Sequence, residues 1–530
     1  MNHFLIKFIF QRSTLITFGV CTSVFLVYIL TMPRELSWGY MKLGIDSPEL
    51  LTASNLFGIA HPPGYPGYTL LLGSILNLLP FFEPPLLGNI FSIFCFVLAI
   101  PFLIGPITNI SKTIYPDLDL IVAHLCSSSA IFILAFAPLI WGISTITEVY
   151  TLNILAASII LFSLTTLLFS KNKSYFFEAS RICLLSIGIS IGLLNHLTIL
   201  GLFIPVAFLL AYCNGIRKFV NWWFLIPLLF IPIGYSYLVV RSGTDFPSNW
   251  GNPSDFEGFL WLIRATPYQE YFKYPWEEFS WNRIFFPFRI LFTQIGVVSL
   301  FISCIGIRSL WLEHRPLAIT LLIVSGIFAG YSICYVTIDT QVNLIPLLVV
   351  NTIFIAIGFI QIFRVINRII ANDLGSLLIT ARKHPQIIVV VFFAIPAYSL
   401  ITNYDSLNFS RESAAYDRGQ AILQLGEDNS IYLLSTEEDV FTSWYVRYVE
   451  ETSTKKIPIA VPLLQYDWYL ENNLAEFGLS NLPFADINQL ASHIINRALK
   501  DGRQVFIGDA NLYDEVKSDE THNILHLIEW

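Results

Sequence analysis

The chain has 530 residues, of which 55% are apolar and 13% charged, and its mean hydropathy is +0.63. A soluble globular protein is about half apolar and about a quarter charged, so the composition excludes that class and predicts a polytopic α-helical membrane protein. The net charge of −8 excludes a nucleic-acid binder, which needs a basic face.

Residues 13–32 form the first apolar run, about twenty residues long and able to cross a bilayer. No small-residue cleavage site follows it, so a retained span is expected and not a signal peptide. Residues 33–85 come next, holding Gly44-Ile-Asp-Ser-Pro-Glu-Leu50 and Gly58-Ile-Ala-His-Pro-Pro-Gly-Tyr-Pro66. Asp46 and Glu49 are three apart, which puts both on one side of a helical turn. Acids beside a bilayer are costly and mark function. Pro62, Pro63 and Pro66 cannot continue a helix interior, so His61 to Pro66 should form a stiff, bent wall. The competing reading is an ordinary polar loop, with Asp46 or Ser47 capping a helix that starts at Pro48. Capping by one neighbour and catalysis by another are compatible.

Further runs of spanning length lie near 86–106, 119–138, 148–169, 220–240, 290–307, 317–338, 342–363 and 386–402. Residues 182–213 are too long for one span and are broken at Asn195-His196, which predicts two spans joined by a tight hairpin. Residues 67–80 are too short to cross. If they lie along the surface, Lys7, Arg12, Lys112, Lys171, Lys173, Arg181, Arg217, Lys218, Arg308, Arg315, Arg364, Arg368, Arg382 and Lys383 all face inward. Asp46, Glu49, Glu83, Glu148, Asp245, Asp255, Glu257, Glu270 and Asp339 then face outward. The prediction is about eleven spans, the N-terminus inside and the C-terminal part outside. The seven cysteines all fall in apolar runs without metal-ligand spacing, so buried packing residues are expected.

From about 403 the composition turns mixed and charged. Residues 430–435, 456–462 and 504–508 read as strands, and 437–450 and 486–500 as helices. A small extracytoplasmic α/β domain over 403–530 is expected, beside a transmembrane catalytic domain over 1–402. It has no glycine-rich phosphate fingerprint and is assigned no nucleotide.

An outward carboxylate can act as general base on an acceptor hydroxyl. Asp46 is the first choice, with Glu49 as its partner or as an acceptor-positioning group; two acids this close can push one pKa up. An anionic leaving group would need donors, and Arg264, Arg241, Arg283, Arg289 and His196 are the candidates. An arginine near a helix end also often only snorkels to the interface. Glu148 either caps the helix it opens or joins the site. Asp339 and Asn343 flank the last outer turn.

Asp46-Ser-Pro-Glu49 and Gly58-Ile-Ala-His-Pro-Pro-Gly-Tyr-Pro66 resemble a membrane family that includes the vertebrate transmembrane protein O-mannosyltransferase. The resemblance continues at Thr147-Glu-Val-Tyr-Thr-Leu152, Asn195-His-Leu-Thr198, Trp250-Gly-Asn-Pro253, Glu257-Gly-Phe and Trp444-Tyr-Val-Arg-Tyr448. Pro48 stands where the family has glycine, which bears on loop shape because both acids are kept. The resemblance implies a GT-C fold and an inverting glycosyltransferase. Such an enzyme moves mannose or another hexose from a polyprenyl-phosphate donor to a hydroxyl of a protein or glycan. The catalytic pair would be Asp46 and Glu49. His61, Tyr65, Glu148, His196, Arg241, Trp250, Arg264, Tyr268 and Arg289 would bind substrate. No cofactor is required on this reading, and a divalent cation is left open. The expected place is the plasma (inner) membrane or the endoplasmic reticulum, with the site extracytoplasmic. The main alternative is a transporter or lipid-linked sugar flippase, which should show ionisable groups at the midplane and repeated halves. A non-catalytic scaffold is the third reading.

Overall fold

In hydrocarbon every backbone N–H and C=O must find a partner within the protein, so apolar runs of this length have to close as helices. The computed structural model describes residues 2–170, 174–243, 249–273, 280–373, 386–450, 453–474, 486–516 and 524–527. Among these, 10 helices are long and apolar enough to cross a membrane, and the count is 11 if the bent pair Leu120–Ala135 and Pro138–Ser144 is one span. The chain is thus a polytopic membrane protein. The expected hairpin at Asn195-His196 is present, between Tyr175–Asn195 and Leu197–Asn214. Lys171, Lys173, Asp245, Arg382 and Lys383 lie outside the described residues.

The run at 119–138 is not one straight span, because the chain turns by 74° before Pro138. The break is tolerated because its backbone groups find partners. Tyr28 donates its hydroxyl to the Ala135 carbonyl at 2.7 Å, and the Leu139 N–H donates to Gln294 Oε1 at 2.7 Å. The span Thr340–Ile370 is the most enclosed, with 83% of its apolar window buried, whereas Gln386–Asn403 has 17% buried. Glycines set the closest helix crossing. A Cβ on Gly306 would fall 1.8 Å from the Phe354 carbonyl oxygen, and one on Gly358 would fall 2.1 Å from that of Ile302. Only a residue without a side chain allows this approach. The cysteines are all free, but Cys213 and Cys304 are exposed, so the expectation of burial fails for them. A surface that faces lipid in a membrane helix accepts an apolar thiol as readily as a core does.

Residues 66–80 hold the Pro66–Leu78 helix, about 20 Å long and too short to cross. It packs on the Ser47–Asn55 helix, where Gly73 lies against the Ser54 carbonyl. Beyond residue 403 four short strands, β1 (Ile431–Leu434), β2 (Ile457–Ala460), β3 (Val505–Ile507) and β4 (Ile524–His526), form a parallel sheet in the order β2-β1-β3-β4. The helix expected over 437–450 is α-helical only over Glu437–Tyr445 and ends in a π-turn at Val446–Glu450. Its first part packs on the Ser47–Asn55 helix. Trp468 of the same region packs its ring at a tilt against Trp250, centroids 5.8 Å apart. The sheet-bearing part therefore closes over the end of the bundle that carries Asp46.

Candidate active site

Helix Ser47–Asn55 starts one residue before Pro48, with Asp46 at the capping position. Asp46 makes no side-chain capping bond, so its carboxylate is not committed to the helix it precedes. The side chain keeps 38% exposure and faces His61, Nε2 to Oδ2 at 3.9 Å. Desolvation by the surrounding protein is the main effect on this carboxyl. Against the pull of His61, and with help from Glu437, Asp339 and Glu49, it raises the pKa to about 7.

Glu49 is one turn on and meets the other nitrogen of the His61 ring. It is 0% exposed; Oε1 accepts the His61 backbone N–H at 3.0 Å, and Oε2 lies 2.9 Å from His61 Nδ1. A direct contact of Glu49 with an acceptor, one of the two roles expected for it, is closed off by this burial. Burial alone would lower the His61 pKa, but Glu49 and then Asp46 outweigh it and carry it to about 9. His61 is therefore a buried cation between two acids. Gly64 (φ +90°) supplies the turn after it, with Leu262 and Leu238 packed too close for a Cβ. That turn brings Tyr65 back, so that its hydroxyl lies 3.3 Å from His61 Nε2. Trp250 and Tyr268 stand edge-on to the His61 ring at 6.3 and 6.4 Å.

Glu148 lies in the same region. It is buried, accepts the Val149 N–H at 3.2 Å, and burial together with Asp46 raises its pKa well above the usual carboxylate range. The shift disfavours its charged form, which argues against a charged cap. His196 lies between the tilted rings of Tyr65 (5.8 Å) and Tyr150 (6.0 Å), and burial, then the charge of His61, lowers its pKa to about 4. It is neutral and cannot serve as a phosphate counter-ion.

The arginines divide. Arg241 donates to the Phe57 and Leu56 carbonyls at 2.5 and 3.0 Å, just past the end of the Ser47–Asn55 helix. Arg283 donates to the Ile333 and Lys273 carbonyls. Both hold loop backbone in place, where the sequence suggested phosphate binding. Arg289 is exposed, its guanidinium 5.5 Å over the Phe286 ring. The Arg264 side chain is exposed and forms no hydrogen bond or ion pair among the described residues. Unlike Arg241 and Arg283, it is not tied to backbone carbonyls.

Sequence reasoning missed Glu437, which the fold brings near enough to Asp46 and His61 to interact with both. As one acid among Glu437-Glu438-Asp439 in a helix's first turn, it reads as ordinary dipole complementarity. It also missed a narrow groove, about 20 Å³ in volume, that runs between spans from His196, Tyr150 and Asn343 down to Ala157, Leu202 and Phe328. Asn153, an amide one turn inside a span, was the available signal. Among the described residues no three His, Cys, Asp or Glu side chains stand close enough to hold a metal ion.

Residues 46–220 match the family described as Protein O-mannosyl-transferase TMEM260 N-terminal domain. The chain is 25% identical over 501 residues to protein O-mannosyl-transferase tmem260 of Dictyostelium discoideum, covering 87% of this chain and 59% of that one. Against the mouse protein O-mannosyl-transferase TMEM260, identity is 35% over 136 residues, which is 26% of this chain and 17% of the relative. The chain thus spans less than two thirds of the length of either relative. Among solved structures, apo ArnT from Cupriavidus metallidurans superposes with a TM-score of 0.56 at 12% identity, covering 96% of this chain and 94% of that one. ArnT bound to undecaprenyl phosphate gives 0.52 at 12% identity, over 87% of each chain. Residues 46–220 thus resemble the N-terminal domain of the TMEM260 protein O-mannosyl-transferase family, in a membrane chain that has the GT-C fold.

Proposed function

We propose that the chain is an inverting membrane glycosyltransferase. It moves a hexose, mannose by the names of its relatives, from a polyprenyl-phosphate donor to a hydroxyl of a protein acceptor on the extracytoplasmic face. The observation that carries this reading is the state of Asp46: uncommitted, partly open, and with a pKa of about 7 beside a protonated His61. That pKa suits a general base working near neutrality.

In the reaction Asp46 takes the proton of the acceptor hydroxyl as its oxygen attacks the anomeric carbon. The new C–O bond forms on the face opposite the phosphate, the bond from that carbon to the phosphate oxygen breaks, and the lipid phosphate leaves with the electron pair. Arg264 would meet the departing phosphate, since a guanidinium matches its oxygens. Glu49 does not touch substrate. It keeps His61 protonated, and His61 keeps a fraction of Asp46 ionised. The lipid part of the donor would lie between spans, and the name of the solved ArnT complex, which holds undecaprenyl phosphate, supports that class of donor. The sheet-bearing part, which packs on the Asp46 helix, would present the acceptor.

The test is transfer of radiolabelled sugar from polyprenyl-phosphate mannose by wild type and Asp46→Asn in detergent. Incorporation by wild type alone is expected. Equal incorporation by both would remove Asp46 as the base, and none by either, with acceptor extract shown competent, would remove the reading.

A further inference from the structure

Three side chains at the mouth of the inter-span groove form a hydrogen-bonded line. Asn153 Nδ2 donates to Thr198 Oγ1 at 3.4 Å, and Thr198 Oγ1 lies 2.9 Å from His196 Nδ1. The Thr198 backbone N–H also points at His196 Nδ1, at 3.3 Å. A backbone N–H can only donate, so Nδ1 is the acceptor and carries no proton. Burial keeps this ring neutral, with its pKa lowered to about 4, so the single ring proton sits on Nε2. Thr198 then accepts from Asn153 and donates to His196, and this fixes the orientation of both partners.

The line leaves two ends. Asn153 is 8% exposed, and its Oδ1 meets no hydrogen-bond partner among the described residues. An unsatisfied buried acceptor is costly, and such a group in a native fold calls for a missing partner. At the other end is the His196 Nε2–H, a donor. Both residues line the groove, whose deeper wall is apolar. One acceptor and one donor set by a common hinge fit a group that gives and takes a hydrogen bond at once. A sugar hydroxyl is such a group, whereas an ionised phosphate offers acceptors only and would leave Asn153 Oδ1 unpaired.

Resting on the glycosyltransferase reading, we infer that Asn153, Thr198 and His196 read a hydroxyl of the donor's sugar. The hydroxyl donates to Asn153 Oδ1 and accepts from His196 Nε2–H. Asp46 and His61 perform the chemistry next door, and His196 touches both regions through its ring contact with Tyr65. This line therefore sets which hexose is accepted.

The experiment uses the full chain in detergent with polyprenyl-phosphate mannose and its 2-, 3-, 4- and 6-deoxy analogues. Transfer kcat/KM is measured for wild type, Asn153→Ala and Thr198→Val. Donor Kd is measured in the Asp46→Asn background, with and without Asn153→Ala. Wild type should discriminate against one deoxy analogue by about tenfold to a hundredfold. Asn153→Ala should lose a similar factor with the mannose donor and almost nothing further with that analogue. Thr198→Val, which frees Asn153 and leaves His196 held only by the backbone N–H, should also weaken the discrimination. Equal losses on every donor, or no loss, would overturn the inference. Should donor binding show the hydroxyl dependence while no variant or wild type transfers sugar, the recognition element stands and the transferase reading falls.

Discussion

Replacing Glu49 by glutamine exchanges one carboxylate oxygen for an NH₂ at nearly constant volume, in a position with 0% exposure. Wild-type Glu49 accepts from two His61 donors, the backbone N–H and Nδ1–H. Glutamine can accept only one of them. The amide NH₂ then faces Nδ1, which must give up its proton, and His61 becomes neutral. Losing one partner of a buried ion pair costs about 3–5 kcal/mol, and the retained bond puts this case near 3 kcal/mol. The sign with pH follows from His61, whose folded pKa of about 9 lies above its reference value of 6.5. Its stabilisation is complete below pH 6.5 and is lost as pH rises through 9, so the gap between wild type and variant should narrow there. Asp46 also loses its cation at 3.9 Å. An opposite charge that close lowers a carboxyl pKa by about 1–3 pH units, and the partial exposure of Asp46 favours about one. Starting from about 7, the ionised fraction at pH 7 drops from about a half to about a tenth. The assay is the pH profile of kcat/KM: roughly a fivefold loss at pH 7, recovered by pH 9. A loss of the same factor at every pH would refute the relay and leave Glu49 a purely structural residue.

The two arginines at this end should answer oppositely. Arg241→Ala should lower the Tm, by about 2 kcal/mol of lost charge-assisted bonds to the Leu56 and Phe57 carbonyls. Arg264→Ala, at an exposed position, should leave Tm unchanged and depress kcat/KM for the lipid-phosphate donor; a donor response from Arg241 alone would reverse the assignment. Gly306→Ala should force the Phe286–Glu313 and Ile345–Asp373 helices apart, since a Cβ would lie 1.8 Å from the Phe354 oxygen. A cost of about 1–3 kcal/mol is expected, read as a fall in Tm in detergent, and an unchanged Tm would show that the crossing is looser than it stands here.

The spans were legible because a run of apolar residues long enough to cross has one outcome in hydrocarbon. The strands at 431–434, 457–460 and 505–507 were legible from β-branched and aromatic runs, while Ile524–His526 was too short to stand out. The 74° bend before Pro138 was not visible, because Tyr28 and Gln294, which satisfy its backbone, come from distant helices. The same reason divides the site. Asp46 and His61 sit in one local loop and announce themselves by residue type. That Glu49 turns inward to His61 depends on burial, which spacing alone does not give. The commitment of Arg241 to two carbonyls, the approach of Glu437 and the line from Asn153 to His196 are all contacts between segments far apart in sequence. Composition marks such residues only as polar.

The central claim is that Asp46 is the base, and Asp46→Asn tests it most directly. With polyprenyl-phosphate mannose as donor, wild type should incorporate label with kcat/KM rising through pH 7, and the variant should fall by about 10²–10⁴-fold. The raised pKa of Asp46, about 7 against 3.8, favours the folded state below pH 3.8, and that advantage is lost as pH rises through 7. Asp46→Asn removes this dependence and should melt no lower than wild type at pH 8, so the loss of activity cannot come from unfolding. Undiminished transfer by a folded Asp46→Asn protein would contradict the account.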